Sequence, residues 1–176
     1  MPANELQTGA AKYGTEHRLL KQVRRWQVWL PWIVFIVAIA ARLIPGARTI
    51  DDSYITYRYA RNILAGNGFV YNPGEKVLGT TTPFYTGLLV LSAAVSGGVD
   101  APFATIAMLI NALADGVTCL LLISLGRRLG SFFAGLGTGL VWAIAPFSVT
   151  FAIGGLETSL YVLLLVGMIS AHLAQR

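Results

Sequence analysis

Residues 102–125 read PFATIAMLINALADGVTCLLLISL. Asp115 is the single charged side chain in these 24 residues. As a helix the stretch is about 36 Å long, enough to cross a hydrocarbon core of about 30 Å. A helix in a water-soluble bundle needs a polar stripe at helical period, and this run has almost none. Working outward, comparable apolar runs fill most of 29–45, 83–97, 132–153 and 160–171, with short polar stretches between them. The chain as a whole is 55% hydrophobic and 12% charged, about half the charge of an average soluble domain. This pattern predicts an all-α, polytopic membrane helix bundle.

The net charge of +5 is distributed as membrane anchors are. Lys12, Arg18, Lys21, Arg24 and Arg25 precede the first run, Arg127-Arg128 separates two runs, and Arg176 follows the last. Positive charge at helix ends marks the cytoplasmic side, so no nucleic-acid partner is expected. Residues 1–25 read as a cytoplasmic basic N-terminus, with Leu19–Arg25 lying along the membrane surface. Ala38-Ile39-Ala40 resembles a signal-peptide cleavage site, but the polar region before it and the apolar run itself are both too long for one. The lone cysteine, Cys119, lies in an apolar run and reads as a packing residue. His17 and His172 have no metal-ligand spacing, and no Ser–His–Asp set or Walker loop is present.

About four spans are expected, near 26–45, 102–126, 131–153 and 158–174. The first opens on the interfacial Trp26, Trp29 and Trp32, with Pro31 in its first turn, and closes at Pro45-Gly46. The run 83–97 reaches at most about 22 Å as a helix. Either it is a short tilted span or it is a juxtamembrane helix. The second choice puts Arg127-Arg128 in the cytoplasm, as the positive-inside rule prefers, although Arg42, Arg48, Arg58, Arg61 and Lys76 then lie outside. It also places Glu157 on the same side as the loop 46–101. Glycines at 126, 130, 135 and 139 have the spacing of close helix packing in lipid.

That external loop carries the reactive side chains. Asp51, Asp52 and Ser53 are N-cap residue types for an amphipathic helix over 53–65, stopped by Gly66 and Asn67-Gly68. Phe69-Val70-Tyr71 reads as extended and Asn72-Pro73-Gly74 as a turn. Thr82-Pro83 opens the juxtamembrane helix. The adjacent carboxylates of Asp51 and Asp52 suit a general base, a divalent-metal site, or a helix cap that needs only one of them. Intervals of three, four and three place Tyr54, Arg58 and Arg61 on one helix face with Asp51 at its edge. Two arginines so placed suit a phosphate or diphosphate group, or else a basic face towards anionic lipid. Glu75 and Lys76 extend the set. Asn111, Asp115 and Thr118 share a face of the run that opened this reading. An interhelical hydrogen bond is the expected role for Asp115, with a transport pathway as the alternative.

Taken together, Asp51-Asp52-Ser53-Tyr54-Ile55, Arg58-Tyr59-Ala60-Arg61-Asn62, the run Gly66–Lys76 and Thr81-Thr82-Pro83 resemble the first external loop of GT-C glycosyltransferases. The branch that includes mycobacterial arabinofuranosyltransferases is the nearest likeness. Gly155-Leu156-Glu157-Thr158 resembles that branch's second acidic loop motif, in the right order about a hundred residues on. The resemblance implies a bacterial plasma-membrane enzyme whose active site lies on the exoplasmic side. Such an enzyme moves a sugar, with inversion, from a polyprenyl-phosphate donor to a hydroxyl of a glycan, lipid or protein acceptor. Asp51 or Asp52 would be the general base, and Glu157 a second acidic group near the donor. A divalent metal on Asp52 and Glu157 is left open. Arg58, Arg61 and Lys76 are the donor-phosphate candidates from charge and position, and Tyr54, Asn72, Glu75 and Thr82 are further loop candidates. Members of the family are longer, so the chain is expected to be an N-terminal module, with a second polypeptide supplying the missing helices. The competing expectations are a non-catalytic membrane subunit or inactive remnant, and a small transporter using Asn111 and Asp115.

Overall fold

A computed structural model describes residues 26–75, 77 and 79–175. The basic segment 1–25 and Lys76 lie outside them. Among the described residues every regular element is helical: α1 (Trp26–Leu43), α2 (Asp51–Leu64), α3 (Pro83–Ala94), a 3-10 turn (Gly98–Asp100), α4 (Phe103–Arg128), α5 (Phe132–Ile144), α6 (Pro146–Ile153) and α7 (Thr158–Ala174).

The helix α4 is the axis. It packs against α3, α5, α6 and α7. Two apolar clusters divide the interior. Val34 and Ala38 of α1 meet Cys119 and Ile123 of α4 and Ala143 of α5. Nearer the loop, Tyr57 and Ala60 of α2 and Tyr85, Leu89 and Ala93 of α3 close over Phe103, Ile106 and Ala107. Large apolar side chains meanwhile face outward on α1, α5 and α7, among them Trp29, Ile36, Phe133, Val141, Leu164 and Met168. So much exposed hydrocarbon on helical elements is the surface of a membrane protein.

By length and composition α1 and α4 are each able to cross a membrane, and α5 with α6 forms a third candidate span bent by 48°. The sequence predicts one helix over 131–153. Instead it breaks at Ala145, because Pro146 has no N–H to offer Trp142 and its ring cannot follow a straight helix. At 17 residues α7 is a shorter apolar helix, about 25 Å long, and α3, with 12 residues, is shorter still.

Three of the four spaced glycines lie where helices touch. A Cβ on Gly126 would collide with the backbone of Gly135, one on Gly135 would meet Ile123, and one on Gly139 would meet Ile123 and the Cys119 carbonyl. Gly130 instead turns the chain between α4 and α5 at φ +87°. Because the obstacle at Gly126 is backbone, Gly126→Ala forces α4 and α5 apart. The expected cost is about 1–3 kcal/mol, the range for overpacking, read as a lowered unfolding midpoint in detergent. Gly137→Ala, which meets nothing within 4 Å, is the neutral control.

Candidate functional site

The turn before α2 sets the site. After α1 the chain is stopped by Pro45 and reverses at Gly46, φ +72°. It then runs extended beside the end of α6, with Arg48 N donating to the Ile153 carbonyl at 2.8 Å and Ile50 N to the Gly154 carbonyl at 3.0 Å. The helix α2 begins at Asp51, not at Ser53 as the sequence predicts, with Ile50 as an N-cap that makes no side-chain bond. Both aspartates therefore sit in the first turn, where the helix dipole favours negative charge. Ser53, freed from capping, donates its hydroxyl to the Gly154 carbonyl at 2.5 Å.

The α2 face that packs inward carries Ser53, Thr56, Tyr57, Tyr59 and Ala60. Tyr57 is buried with its hydroxyl against Gly155, which takes φ +82° and where a Cβ would overlap that oxygen. Burial pushes the Tyr57 phenol up to about 12 and raises Tyr85 as well, so neither is a proton acceptor at neutral pH.

This packing turns Asp52 towards a cleft of about 350 Å³ lined by Asp52, Ile55, Thr56, Gly79, Thr80, Thr81, Thr82, Leu156 and Glu157. Asp51 is not among the lining residues. The two acidic loop segments, remote in sequence, thus meet across one cavity. Glu157 occupies the N-cap of α7 without spending its carboxylate on a cap bond. Thr80 and Thr82 hydroxyls lie 3.3 Å apart, and Thr82 O accepts from Thr86 Oγ1 at 2.9 Å. A narrower groove, with an almost wholly apolar surface, continues from Thr81, Thr82 and Glu157 between α3 and α7, past Phe84, Leu160, Tyr161 and Leu164.

The loop bearing Glu157 is held from below by the polar residues of α4. Asn111 Nδ2 donates to the Ala152 carbonyl at 3.1 Å and the Leu156 carbonyl at 2.8 Å, while its Oδ1 accepts from Tyr85 at 3.4 Å. One turn on, Asp115 Oδ2 accepts from Ser159 Oγ at 2.9 Å and from Arg42 Nε at 2.9 Å, and its Oδ1 from Trp142 Nε1 at 3.0 Å. Arg42 is fully buried and reaches further, to the carbonyls of Ala38, Ala143 and Trp142 and to Ser148 Oγ. The Trp142 and Ala143 carbonyls lie just before the Pro146 break, so the guanidinium fills the place of helix donors lost there. Asp115 and Asn111 are interhelical ligands, as their positions predict. Arg42, read from the sequence only as an external charge, is the missing partner of Asp115.

The arginine face is arranged differently from the expectation. Arg58 Nε donates to the Tyr71 carbonyl at 2.8 Å and Nη2 to Asn72 Oδ1 at 3.0 Å, with its guanidinium over the Tyr71 ring. Arg61 donates to the Val99 carbonyl at 3.0 Å and lies over Phe103. Neither lines the acidic cleft. Each is held aside by a loop carbonyl, and the Tyr71 carbonyl also accepts from Asn62 Nδ2 at 2.8 Å. Tyr54 shares a separate shallow cavity of about 300 Å³ with Arg61 and Thr49. Asn72 and Glu75 lie beyond Gly79 with Tyr71. Among the described residues no three His, Cys, Asp or Glu side chains converge as a metal site.

Over 125 residues, 68% of this chain, the sequence is 34% identical to the terminal beta-(1->2)-arabinofuranosyltransferase of Mycobacterium tuberculosis, and the match spans 20% of that protein's length. No established protein family's sequence profile matches the chain, and no solved structure does.

Proposed function

We propose that the chain is the N-terminal catalytic module of an inverting, GT-C-like membrane glycosyltransferase. The likeness to the mycobacterial enzyme supports a GT-C-like relationship and glycosyltransferase function. The observation that carries the mechanism is the cleft shared by Asp52 and Glu157. In the reaction we assign to it, an acceptor hydroxyl gives its proton to the Asp52 carboxylate. The hydroxyl oxygen forms a bond to the anomeric carbon as the bond from that carbon to phosphate oxygen breaks. The phosphate leaves with the electron pair and the anomeric centre inverts. Glu157, which lines the same cleft, is the second acidic group beside the donor.

The donor we infer is a polyprenyl-phosphate sugar. The apolar groove between α3 and α7 supports this, because it starts at Glu157 and runs along the exposed apolar side chains of α7, a proposed crossing. The hydroxyls of Thr80, Thr81 and Thr82, at the junction of groove and cleft, suit the phosphate oxygens. Arg58 and Arg61 are better suited to holding the 69–72 loop and the 98–100 turn against α2. The donor set of the cleft is entirely oxygen, which fits a hard divalent cation completed by water and phosphate. Asp52 and Glu157 would hold such a cation, whose contribution would be to neutralise charge on the leaving phosphate. The test is transfer of labelled sugar from a polyprenyl-phosphate donor in membranes containing the chain, compared with membranes lacking it. No difference between the two overturns the reading.

The membrane arrangement we propose has four crossings, α1, α4, the bent pair α5–α6, and α7, with α2 and α3 outside on the exoplasmic face. Single cysteines at Glu75 and Arg127, in a chain with Cys119 replaced by Ser, are expected to label from opposite sides with an impermeant maleimide. Labelling of both from one side removes α3 from its juxtamembrane place.

A further inference from the structure

On the side of the acidic cleft away from the apolar groove lies a second cavity, about 340 Å³, between α2 and the loop that follows it. Its wall is formed by Tyr59, Tyr71, Asn72 and Glu75, and it shares Ile55 and Gly79 with the acidic cleft. The two cavities are therefore neighbours, and the acidic cleft shares wall residues with the apolar groove on one side and the aromatic cavity on the other. We propose that the aromatic cavity is a saccharide subsite that holds a sugar ring of the acceptor, with a hydroxyl directed towards Asp52. This rests on the glycosyltransferase reading and narrows the acceptor to a glycan.

The chemistry of the walls favours a sugar over an acyl chain. A sugar ring has an apolar face of C–H groups and an edge of hydroxyls, so it needs a ring surface and acceptors together. Tyr71 supplies the ring. Its aromatic plane is fixed from one side by the Arg58 guanidinium at 4.7 Å and packs against Tyr59 at 6.0 Å between centroids. Glu75 supplies the acceptor. Its Oε2 takes one hydrogen bond from Asn72 Nδ2 at 3.0 Å, which orients the carboxylate and leaves Oε1 for a ligand hydroxyl. Tyr59 contributes shape alone, since its hydroxyl donates to the Val77 carbonyl and accepts from Gly79 N, each at 2.7 Å. Those two bonds hold the loop at a fixed distance from α2, so the cavity is built before any ligand arrives. An acyl chain would make no use of Glu75 Oε1 and finds a better place in the apolar groove across the cleft.

The test is binding, independent of transfer. The full chain in phosphatidylcholine nanodiscs is titrated with methyl glycosides of a pentofuranose and of a hexopyranose, followed by saturation-transfer NMR. Ring protons of at least one probe are expected to saturate. Tyr71→Ala and Glu75→Gln should each weaken binding about tenfold, the loss expected for one oriented contact to a charged or aromatic group. Gly137→Ala, on α5 where an added Cβ meets nothing within 4 Å, should leave it unchanged. Tyr71→Ala also disturbs the Tyr59 packing, so Glu75→Gln, which keeps an oxygen for Asn72, decides where the former fails to fold. No saturation by either probe, or unchanged affinity in Glu75→Gln, overturns the proposal. Glycoside binding without any sugar transfer sinks the transferase reading and leaves the subsite standing. Transfer whose acceptor KM is unmoved by Glu75→Gln does the reverse.

Discussion

Asp52→Asn is expected to lower sugar transfer by about 10²–10⁴-fold, the range for loss of a positioned general base, while Asp51→Asn stays within a few-fold of wild type. The two residues are neighbours of the same type in the same helical turn, so the contrast is a strict test of geometry. Successive residues of a helix are about 100° apart around its axis. The rotation of α2 is fixed by Ser53 bonding to Gly154 and by Tyr57 packing against Gly155 and Phe103. With those faces committed, Asp52 opens on the cleft that Glu157 also lines and Asp51 does not. Asparagine keeps the size of the side chain and removes its basicity, so donor binding should persist while the chemical step fails. The measurement is the initial rate of transfer in membranes at saturating donor, with protein level matched by immunoblot. Equal loss at both positions would mean the cleft is misassigned, and loss at Asp51 alone would place the base on the other face.

Arg42→Met is expected to destabilise the folded chain by about 3–5 kcal/mol, the cost of removing one partner from a buried ion pair. Arg42 and Asp115 are both fully buried, 2.9 Å apart, in elements read as crossing hydrocarbon. Methionine replaces the length of arginine but leaves Asp115 with Ser159 and Trp142 as donors and no countercharge. It also strips donors from the Ala143 and Trp142 carbonyls beside the Pro146 break. Asp115→Leu should cost less, because the Arg42 guanidinium keeps its carbonyl and Ser148 acceptors. The double replacement should cost less than the sum of the two, since each residue's main loss is the other. Unfolding midpoints in mild detergent, followed by tryptophan fluorescence, measure all three. A loss below about 1 kcal/mol for Arg42→Met, the level of a surface pair, would show that the guanidinium is solvated. Because Ser159 lies two residues after Glu157, the same variants should also loosen the acidic loop.

Some of this was legible along the chain. The acidic pair at the start of α2, the Asn72-Pro73-Gly74 turn and the close packing of Gly126, Gly135 and Gly139 follow from local pattern. The break at Pro146 was legible too. It is hidden in a composition count, since the residues on both sides are apolar, but a proline so far inside a run cannot sit in a straight helix. Arg42 was misread for a related reason. Topology rules treat arginine as a marker of sides, and its role depends on a carboxylate 73 residues away.

By itself the sequence determined that the chain enters a bilayer, where its polar loop lies, and which loop carries the acids, because transfer to lipid and turn formation are set by residues near one another. Only the tertiary structure decided that Asp52 rather than Asp51 meets Glu157, that Arg58 and Arg61 turn to loop carbonyls, and that Arg42 closes on Asp115. Those outcomes depend on the rotation of each helix about its axis. That rotation is fixed by contacts between residues far apart in sequence, such as Ser53 with Gly154, 101 positions on, which periodicity along one segment cannot contain.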